Sequence, residues 1–272
     1  MLGHDVVAAL RGRPVLSFGR EELDVTDLDQ LKAVVQAGDV IVNCAGYTRV
    51  DDAEADEDEA TRVNGVAVGN LARAAREADG TLVTISTDYV FDGSAVTPYA
   101  ETQRQHPISA YGRSKAAGEL AAMREHPDGS YIVRTAWTYG AHGKNFAQTM
   151  LDLARSKDSW DVVSDQRGQP TWTADLAEQI VRLLDSDAPA GIYHGTNSGE
   201  TSWFGFAQAV LEEAGLEPSR ITPTDSAHFV RPAPRPSYSV LGHDRWAAVG
   251  LPAMRPWREA LHAAFEAGTF DI

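Results

Sequence analysis

Short apolar runs alternate with longer amphipathic stretches from the start of the chain to about residue 135. The short runs are rich in β-branched residues and typical of strands, whereas the longer stretches repeat their apolar positions at helical spacing. The predicted strands are Pro14–Phe18, Asp39–Cys44, Thr81–Ser86 and Tyr131–Thr135. The predicted helices are Gly3–Leu10, Leu28–Val35, Asp56–Glu77 and Ala110–Met123. This alternation predicts right-handed crossovers and a doubly wound α/β fold with a parallel, Rossmann-like sheet.

The pattern loosens after residue 136. The predicted elements are helices at Phe146–Arg155, Ala174–Leu184, Trp203–Ala214 and Trp257–Ala267, with short strands near Asp161–Ser164 and Gly191–His194. Residues 218–236 are Pro-rich and aperiodic, which predicts a loop or an extended arm. We therefore predict a dinucleotide-binding domain over residues 1–137, to which residues 165–196 return. Residues 138–164 and 197–272 would form a smaller C-terminal substrate-binding lobe.

The first residues depart from the usual opening of a nucleotide-binding α/β fold. Such a fold begins with a strand that runs into a glycine-rich turn, where glycines let the backbone approach the pyrophosphate. Here Met1 already lies where that turn should be ending, and Gly3 is its one remaining glycine. The sequence therefore predicts a sheet that lacks its first strand, with Gly3 beside the cofactor. We expect a mis-set start or a trimmed sequence rather than a natural enzyme built this way. If the polypeptide does begin at Met1, we expect weak cofactor binding and low stability.

Composition narrows the classes of function. The 272 residues include 24 basic and 39 acidic side chains, a formal net charge of −15 at pH 7, which disfavours nucleic acid or an anionic membrane as partner. No apolar run approaches the roughly 18 residues of a membrane span, and no secretory pattern is present. These features favour a cytoplasmic protein. The single cysteine, Cys44, excludes an internal disulfide, and we expect it to be buried at a strand end.

One tyrosine and one lysine stand four residues apart on a predicted helix. Tyr111 and Lys115 would project from the same face, so that the ammonium can lie beside the phenol. A cation within about 4–6 Å favours the phenolate and lowers the phenol pKa from its usual ~10. Tyr111 could then protonate a substrate oxygen, and Thr87 would donate a hydrogen bond to the same oxygen. The alternative is a solvated pair on an amphipathic helix.

Other chemistries lack their residue patterns. The eight histidines show no paired helical spacing, and with one cysteine no zinc set can be assembled. The carboxylates of residues 51–59 are typical of a solvated helix start rather than a metal site. A Gly-x-Ser-x-Gly turn is absent, which disfavours serine hydrolase chemistry. We therefore predict no metal.

Several motifs, spread along nearly the whole chain, match a known enzyme family. They are Leu23–Asp27, Asn43–Asp51, Ser86–Gly93, Arg134–Gly140, Asn145–Phe146, Asp165–Thr171, and Arg235–Pro236 ahead of Ser239–Leu241. On these motifs the chain resembles the extended short-chain dehydrogenase/reductase superfamily and, within it, the dTDP-4-dehydrorhamnose reductase (dTDP-rhamnose synthase) family. The run Ser-Thr-Asp-Tyr-Val-Phe-Asp-Gly is the most specific motif, whereas Tyr-x-x-x-Lys alone indicates only the superfamily.

The resemblance implies an activity and a set of site residues. It implies NADPH-dependent reduction of the C4 keto group of a dTDP-4-keto-6-deoxyhexose, dTDP-4-dehydrorhamnose to dTDP-rhamnose, with hydride from the nicotinamide and a proton from Tyr111. The residues implied as catalytic are Thr87, Tyr111 and Lys115. Those implied to bind the cofactor are Asp24, Val25, Ala45, Gly46, Tyr47, Thr48, Tyr111 and Lys115. Those implied to meet the sugar are Thr87, Asp88 and Trp137.

Two further assignments concern the anionic groups of the ligands. Where many relatives place an acidic residue that holds the adenosine ribose, this chain has Ser17-Phe18-Gly19-Arg20. Without a carboxylate there, Arg20 can accept a 2′-phosphate, which favours NADPH, with NADH as the alternative. For the substrate diphosphate the candidates are Asn145 and Arg235, with Lys144 and Arg231 as rivals. Each of these residues could instead cap a helix or lie in solvent.

Two other classes of function stay open. One is a neighbouring sugar-nucleotide enzyme: another 4-ketoreductase, an epimerase or a dehydratase. The other is a non-catalytic regulator, because the regulatory subunit of methionine adenosyltransferase resembles this family too. Retention of the three catalytic residue types favours the enzyme, while the missing phosphate turn favours the regulator. The sequence leaves open which sugar is reduced and whether the chain forms a homodimer.

Overall fold

The computed structural model describes residues 1–271, which form an α/β molecule. The strands are β1 (Val40–Asn43), β2 (Thr81–Thr87), β3 (Ser130–Thr135), β4 (Thr138–Tyr139), β5 (Trp160–Val163), β6 (Arg167–Gly168), β7 (Thr171–Trp172), β8 (Gly191–His194), β9 (Thr201–Ser202) and β10 (Ile221–Thr224). The helices are α1 (Leu2–Ala9), α2 (Leu28–Val34), α3 (Glu57–Thr61), α4 (Ala67–Glu77), α5 (Ala110–Glu125), α6 (Phe146–Ser156), α7 (Thr173–Leu184), α8 (Trp203–Glu213), α9 (Asp244–Ala248) and α10 (Trp257–Glu266).

The principal sheet is parallel and has the order β1-β2-β3-β8. Helices α4, α5 and α7 connect successive strands, and they cover both faces of the sheet. Leu82 and Ile132 pack against α4 and α5 on one face. Val83 and Val133 pack against α1 and α7 on the other. Because a parallel sheet needs both faces buried, this arrangement confirms the predicted doubly wound α/β class.

The edge of the sheet at β1 is open. The segment 14–18, predicted as a strand, is irregular in the structure, and its Leu16 side chain is 75% exposed. A strand requires a hydrogen-bonded neighbour, and no strand within residues 1–271 pairs with this segment. The strand prediction at 14–18 was therefore wrong, whereas the open edge agrees with a sheet that lacks one strand. Cys44, expected to be buried, is exposed because it follows β1 at this edge.

The C-terminal lobe has its own core. Phe206 and Leu211 of α8, Met150 of α6 and Leu261 of α10 share one apolar cluster. Strands β5 and β10 pair in parallel beside it. Strand β10 falls in the segment predicted as a loop, because Pro223 obscures its pattern. The domain boundaries stay a prediction: β8 lies in the principal sheet, while β6 and β7 pair with β9 and β4.

One helix of the prediction is interrupted. The stretch predicted as a single helix over residues 56–77 contains a π-helical turn, Arg62–Val66, between α3 and α4. This turn carries the buried Asn64, and α5 lies so close to it that a Cβ on Gly118 would come within 2.0 Å of the Asn64 carbonyl oxygen. Single π turns inside helices are frequent at functional sites. Among residues 1–271, no helix has the length and apolar character needed to cross a bilayer.

Candidate active site

Thr87, Tyr111 and Lys115 come together at the carboxyl end of β2. Thr87 is the last residue of β2, and Tyr111 and Lys115 lie on the first two turns of α5. Thr87 and Lys115 are buried, and Tyr111 is mostly buried. Ligands of doubly wound folds bind at this end of the strands. The three predicted catalytic side chains therefore occupy one place, at the end of the sheet where a nucleotide would bind.

Lys115 is tied to the strand beneath it. Its Nζ donates a hydrogen bond to the main-chain carbonyl of Ile85 at 2.7 Å. Burial lowers the pKa of Lys115 to about 8, and the nearby Glu119 carboxylate opposes this shift. On its other side, a Cβ placed on Gly46 would lie 3.6 Å from the same Nζ. Lys115 thus lies between β2 and the loop that follows β1.

Tyr111 does not show the lowered pKa expected from its position near Lys115. Burial raises the pKa of Tyr111 to about 12; the neighbouring Thr87 hydroxyl opposes the rise, and the charge of Asp88 adds to it. The expected acidification is absent because the Lys115 ammonium is bonded to Ile85, while the surroundings of the phenol penalise a phenolate. Tyr111 therefore keeps its proton at neutral pH, which is the state a proton donor needs.

Asp88 lies against Thr87 in the same buried corner. The Thr87 hydroxyl donates to Oδ1 of Asp88 at 2.9 Å and accepts from the Tyr89 amide at 3.2 Å. Burial raises the pKa of Asp88 to about 6, while the nearby hydroxyls of Ser239 and Thr87 limit the rise. Oδ2 of Asp88 is buried and has no hydrogen-bond partner within residues 1–271.

The position of α5 is fixed by polar contacts at its start. Ser109 caps the helix by accepting the Gly112 amide at 3.1 Å. Asn64 of the π turn donates to the Ser114 hydroxyl at 2.9 Å, one residue before Lys115. Because the close approach at Gly118 also prevents sliding, Tyr111 and Lys115 are held in register with β2.

The loop after β1 faces Lys115. Ala45, Gly46 and Thr48 are exposed, while Tyr47 is buried and its main chain is held by two hydrogen bonds to the Asn64 amide, each 2.9 Å long. The buried Tyr47 hydroxyl has no partner among the described residues. An exposed glycine-containing loop, an unpaired hydroxyl and a lysine at the end of a parallel sheet fit a dinucleotide, so the residues present are compatible with a nicotinamide cofactor.

The predicted adenine-side residues lie on an exposed surface. Asp24 forms a turn in which Oδ1 accepts the amide and hydroxyl of Thr26, at 2.9 and 2.8 Å, and these bonds lower its pKa. Arg20 is exposed, and the positive charges of Arg62 and Arg20 also lower the pKa of the Asp24 carboxyl group. Val25 packs beneath, against the cluster around Leu31. Arg62 was missed by sequence reasoning, since a helical arginine 42 positions after Arg20 carries no signal of proximity.

Gly3 lies at the other side of the β1 loop. It is half-buried near the start of α1, and a Cβ there would meet Cβ of Cys44 at 3.6 Å. The first turn of α1 therefore points towards the end of β1, where the loop 45–48 begins.

Trp137 has an unusual backbone and a stacked ring. Its φ is +45°, a left-handed conformation that non-glycine residues rarely adopt. Its ring stacks on Trp203 with centroids 3.6 Å apart and planes 11° from parallel. Gly168 lies against the ring edge, where a Cβ would come within 2.5 Å. Sequence reasoning missed Trp203 and Gly168, because only the tertiary fold brings them to Trp137.

The two diphosphate candidates are engaged in different contacts. Asn145 caps α6 by accepting the Gln148 amide at 3.0 Å, and its own amide donates to the Gly140 carbonyl at 3.0 Å. Arg235 donates to Oδ1 of Asp51 at 2.7 Å, and thereby links the Pro-rich arm to the segment after β1. The Asn145 side chain thus caps a helix, as its alternative interpretation predicted. The Arg235 guanidinium lies close enough to Tyr89, two residues after Thr87, for its charge to lower the pKa of that phenol.

Comparison with known proteins gives consistent matches. The family model described as the RmlD substrate binding domain matches residues 1–269. A dTDP-4-keto-6-deoxy-D-glucose reductase of Streptomyces niveus is 47% identical over 269 residues, covering 97% of this chain and 93% of the relative. A dTDP-4-dehydrorhamnose reductase of Streptomyces griseus is 46% identical over 275 residues, covering 98% and 90%. The crystal structure of dTDP-4-dehydrorhamnose reductase from Bacillus anthracis in complex with NADP is 36% identical, with a TM-score of 0.94 and coverage of 98% and 95%.

Proposed function

The chain belongs to the RmlD substrate-binding-domain family, and from this membership we propose that it reduces the C4 keto group of a dTDP-4-keto-6-deoxyhexose, with dTDP-4-dehydrorhamnose as the first candidate substrate. The family resemblance of the sequence is confirmed, and the chain is an NAD(P)H-dependent oxidoreductase of the kind its relatives are named for. The predicted cofactor, NADPH, agrees with the NADP complex of the Bacillus anthracis relative.

NADPH, when bound, supplies the hydride that is added to C4 of the sugar. We assign its binding to the loop 45–48, Gly3 and Lys115 on the nicotinamide side, and to Asp24 and Val25 on the adenine side. Arg20 is assigned to the 2′-phosphate. These assignments are supported by the exposed loop and by the unpaired Tyr47 hydroxyl beneath it.

Tyr111 is the proton donor of this proposal, and the observation that carries it is the buried, protonated phenol beside Thr87 at the end of β2. As the ketone oxygen gains negative charge, the phenol gives it a proton and Thr87 stabilises it with a hydrogen bond. Lys115, with a pKa of about 8, stays mostly charged at pH 7 and stabilises the phenolate that Tyr111 becomes.

The substrate side is assigned to Asp88, Trp137 and Arg235. Asp88 offers a buried acceptor to a sugar hydroxyl, and Trp137 offers an apolar ring held in place by Trp203. Arg235 is the cation proposed to bind the substrate diphosphate, and the diphosphate would compete with the Asp51 carboxylate for the guanidinium. Asn145, first proposed for the same anion, is assigned to shaping the loop before α6.

Product identification tests the proposal. The protein is incubated with NADPH and dTDP-4-dehydrorhamnose, and the product is identified by NMR while NADPH oxidation is followed by absorbance. We expect one NADPH oxidised for each dTDP-rhamnose formed. An epimerase or dehydratase would give a new sugar without net oxidation of NADPH. A regulator would give neither, and either result would refute the assignment.

A second candidate differs only in the sugar. The relative from Streptomyces niveus is named for dTDP-4-keto-6-deoxy-D-glucose, and its match to this chain, 47% identity over 97% of the residues, is similar to that of the dehydrorhamnose reductase, 46% over 98%. Comparing kcat/KM for the two keto sugars under the same conditions separates the candidates. A higher value for dTDP-4-keto-6-deoxy-D-glucose would favour the second.

A further inference from the structure

The Asp88 carboxyl group is buried, and one of its two oxygens has no hydrogen-bond partner among the described residues. Asp88 is 2% exposed, and Oδ1 accepts from the Thr87 hydroxyl, yet Oδ2 has no donor among residues 1–271. An ionised carboxylate oxygen that is buried without a donor is costly, because it has lost its water and gained nothing in exchange. A neutral acid at the same position carries far less of this cost, since it has no net charge to solvate.

The Thr87 hydroxyl has a single hydrogen, and Asp88 decides where it points. While Asp88 is ionised it can only accept, so the Thr87 hydrogen is donated to Oδ1. The proposed reaction needs that hydrogen on the ketone oxygen instead. A protonated Asp88 can donate to the Thr87 oxygen, which then accepts from Asp88 and from the Tyr89 amide and releases its own hydrogen towards the substrate.

The charge of Asp88 also acts on Tyr111. A negative Asp88 raises the pKa of Tyr111, because it repels the phenolate left after proton transfer. It acts on Tyr89 in the same direction. The other groups facing this corner are Ser239 of the C-terminal segment, Lys115 of α5, which is bonded to Ile85, and Arg235, which is paired with Asp51. An ionised Asp88 therefore opposes proton donation through both Thr87 and Tyr111.

We propose that Asp88 acts as a neutral carboxylic acid during reduction, a positioning residue that donates to Thr87 so that the Thr87 hydroxyl can donate to the ketone oxygen. This inference rests on the proposed function. No proton is lost from Asp88 in the net reaction. The carbonyl carbon gains hydride from NADPH, which is oxidised to NADP⁺; the carbonyl oxygen gains the Tyr111 proton, and the Tyr111 phenolate is reprotonated from solvent.

The proposal fixes the direction of a pH dependence. Burial raises the pKa of Asp88 to about 6, so the neutral acid is present at low pH and is lost as pH rises through that value. For the wild type we therefore expect a descending limb in the pH profile: kcat/KM falls about tenfold for each pH unit above about pH 6.

The decisive variant is Asp88→Asn, whose amide is neutral at every pH and can still donate to Thr87. We expect its kcat/KM to change less than about twofold over the pH unit in which the wild type falls tenfold. The control is Asp92→Asn in the same motif, because the pKa of Asp92 is lowered by its bonds to Ser94 rather than raised. Asp92→Asn should keep the wild-type limb. An unchanged limb in Asp88→Asn would refute the inference.

A second readout does not depend on activity. In the infrared difference spectrum between wild type and Asp88→Asn, recorded without substrate, we expect the C=O band of a protonated carboxyl that disappears as pH rises through about 6. Absence of that band at about pH 5 would overturn the inference even if the reduction is confirmed. Conversely, a wild type that reduces neither keto sugar but shows the band would remove the proposed function and leave Asp88 as a neutral acid.

Discussion

Nζ of Lys115 donates its hydrogen bond to the carbonyl of Ile85, two residues before Thr87 on β2. Lys115 is therefore anchored to the same strand end that carries the proposed oxyanion donor. Its charge is positioned by the sheet rather than by the phenol of Tyr111. Burial raises the pKa of the phenol to about 12, and the Lys115 charge, held by the strand, does not offset this rise although the two residues share a helix face.

The first prediction concerns alkaline pH. Because burial lowers the pKa of Lys115 to about 8, the ammonium is charged below that value and is lost as pH rises through it. We expect kcat/KM of Asp88→Asn, which lacks the lower limb, to fall above about pH 8. Below about pH 8 we expect Lys115→Met to be at least about a hundredfold slower than the wild type, and the difference should shrink above that pH. Lys157→Met, at an exposed position, should match the wild type. Activity that stays constant to about pH 10 would contradict a role for the ammonium.

The second prediction concerns stability. Arg134 and Glu119 are both almost fully buried, and the Arg134 guanidinium donates to the Glu119 carboxylate in three hydrogen bonds of 2.7, 2.9 and 3.2 Å, which link β3 to α5. Arg134→Met leaves a buried carboxylate without its cation, so we expect the free energy of unfolding to fall by about 3–5 kcal/mol. Chemical denaturation measures it. The control, Arg155→Met, breaks the exposed pair with Asp152 and should cost less than about 1 kcal/mol. Equal losses would contradict the burial argument.

The third prediction concerns the Trp137 ring. Gly168→Ala places a methyl group 2.5 Å from that ring, which must move off its stack with Trp203. We expect KM for the sugar nucleotide to rise about tenfold with a smaller change in kcat, and the circular dichroism of the stacked tryptophan pair to weaken. The control is Gly69→Ala, where the added methyl lies 3.3 Å from Cβ of Ala121 in the C-terminal half of α5 and does not contact the Trp137 ring. An unchanged KM alongside an altered spectrum would remove Trp137 from the substrate site.

The fourth prediction concerns cofactor choice. Arg20→Ala removes a guanidinium near Asp24, so we expect KM for NADPH to rise about tenfold while KM for NADH changes little, since only NADPH carries the 2′-phosphate. Arg11→Ala, an exposed arginine just after α1, is the control. Equal effects on both cofactors would indicate that Arg20 does not meet the 2′-phosphate. Arg62→Ala tests the neighbour that sequence reasoning missed.

Local patterns predicted most of the elements around the site. The apolar runs that became β1, β2 and β3 form a parallel sheet, in which β2 and β3 are mostly buried and β1 is the partly exposed edge. Their alternation with helices is visible in the sequence. The strand expected at 14–18 failed, because pairing depends on a neighbour that local sequence does not specify. Strand β10 was not predicted because Pro223 interrupts its apolar pattern. The π turn at residues 62–66 was not predicted because the helical pattern continues through it.

The positions of Thr87, Tyr111 and Lys115 followed from spacing, but their protonation states did not. The pKa values of Asp88 and Tyr111 are set mainly by burial, which arises from the packing of α5, β2 and the C-terminal segment. The Lys115 bond to Ile85 and the Trp137 stack on Trp203 join residues that are 30 and 66 positions apart. Such contacts depend on tertiary structure, which is why the expected acidification of Tyr111 was wrong.

In the proposed reaction the Tyr111 phenol protonates the ketone oxygen as the hydride reaches C4. Single-turnover reduction of dTDP-4-dehydrorhamnose, with enzyme in excess over sugar and NADPH oxidation followed by stopped flow, tests it most directly. We predict that Tyr111→Phe slows this step by about 10²–10⁴-fold at saturating NADPH, while Tyr131→Phe, whose hydroxyl bonds to Ala188 away from the site, reacts at the wild-type rate. A Tyr111→Phe rate within about twofold of the wild type would show that Tyr111 is not the proton donor.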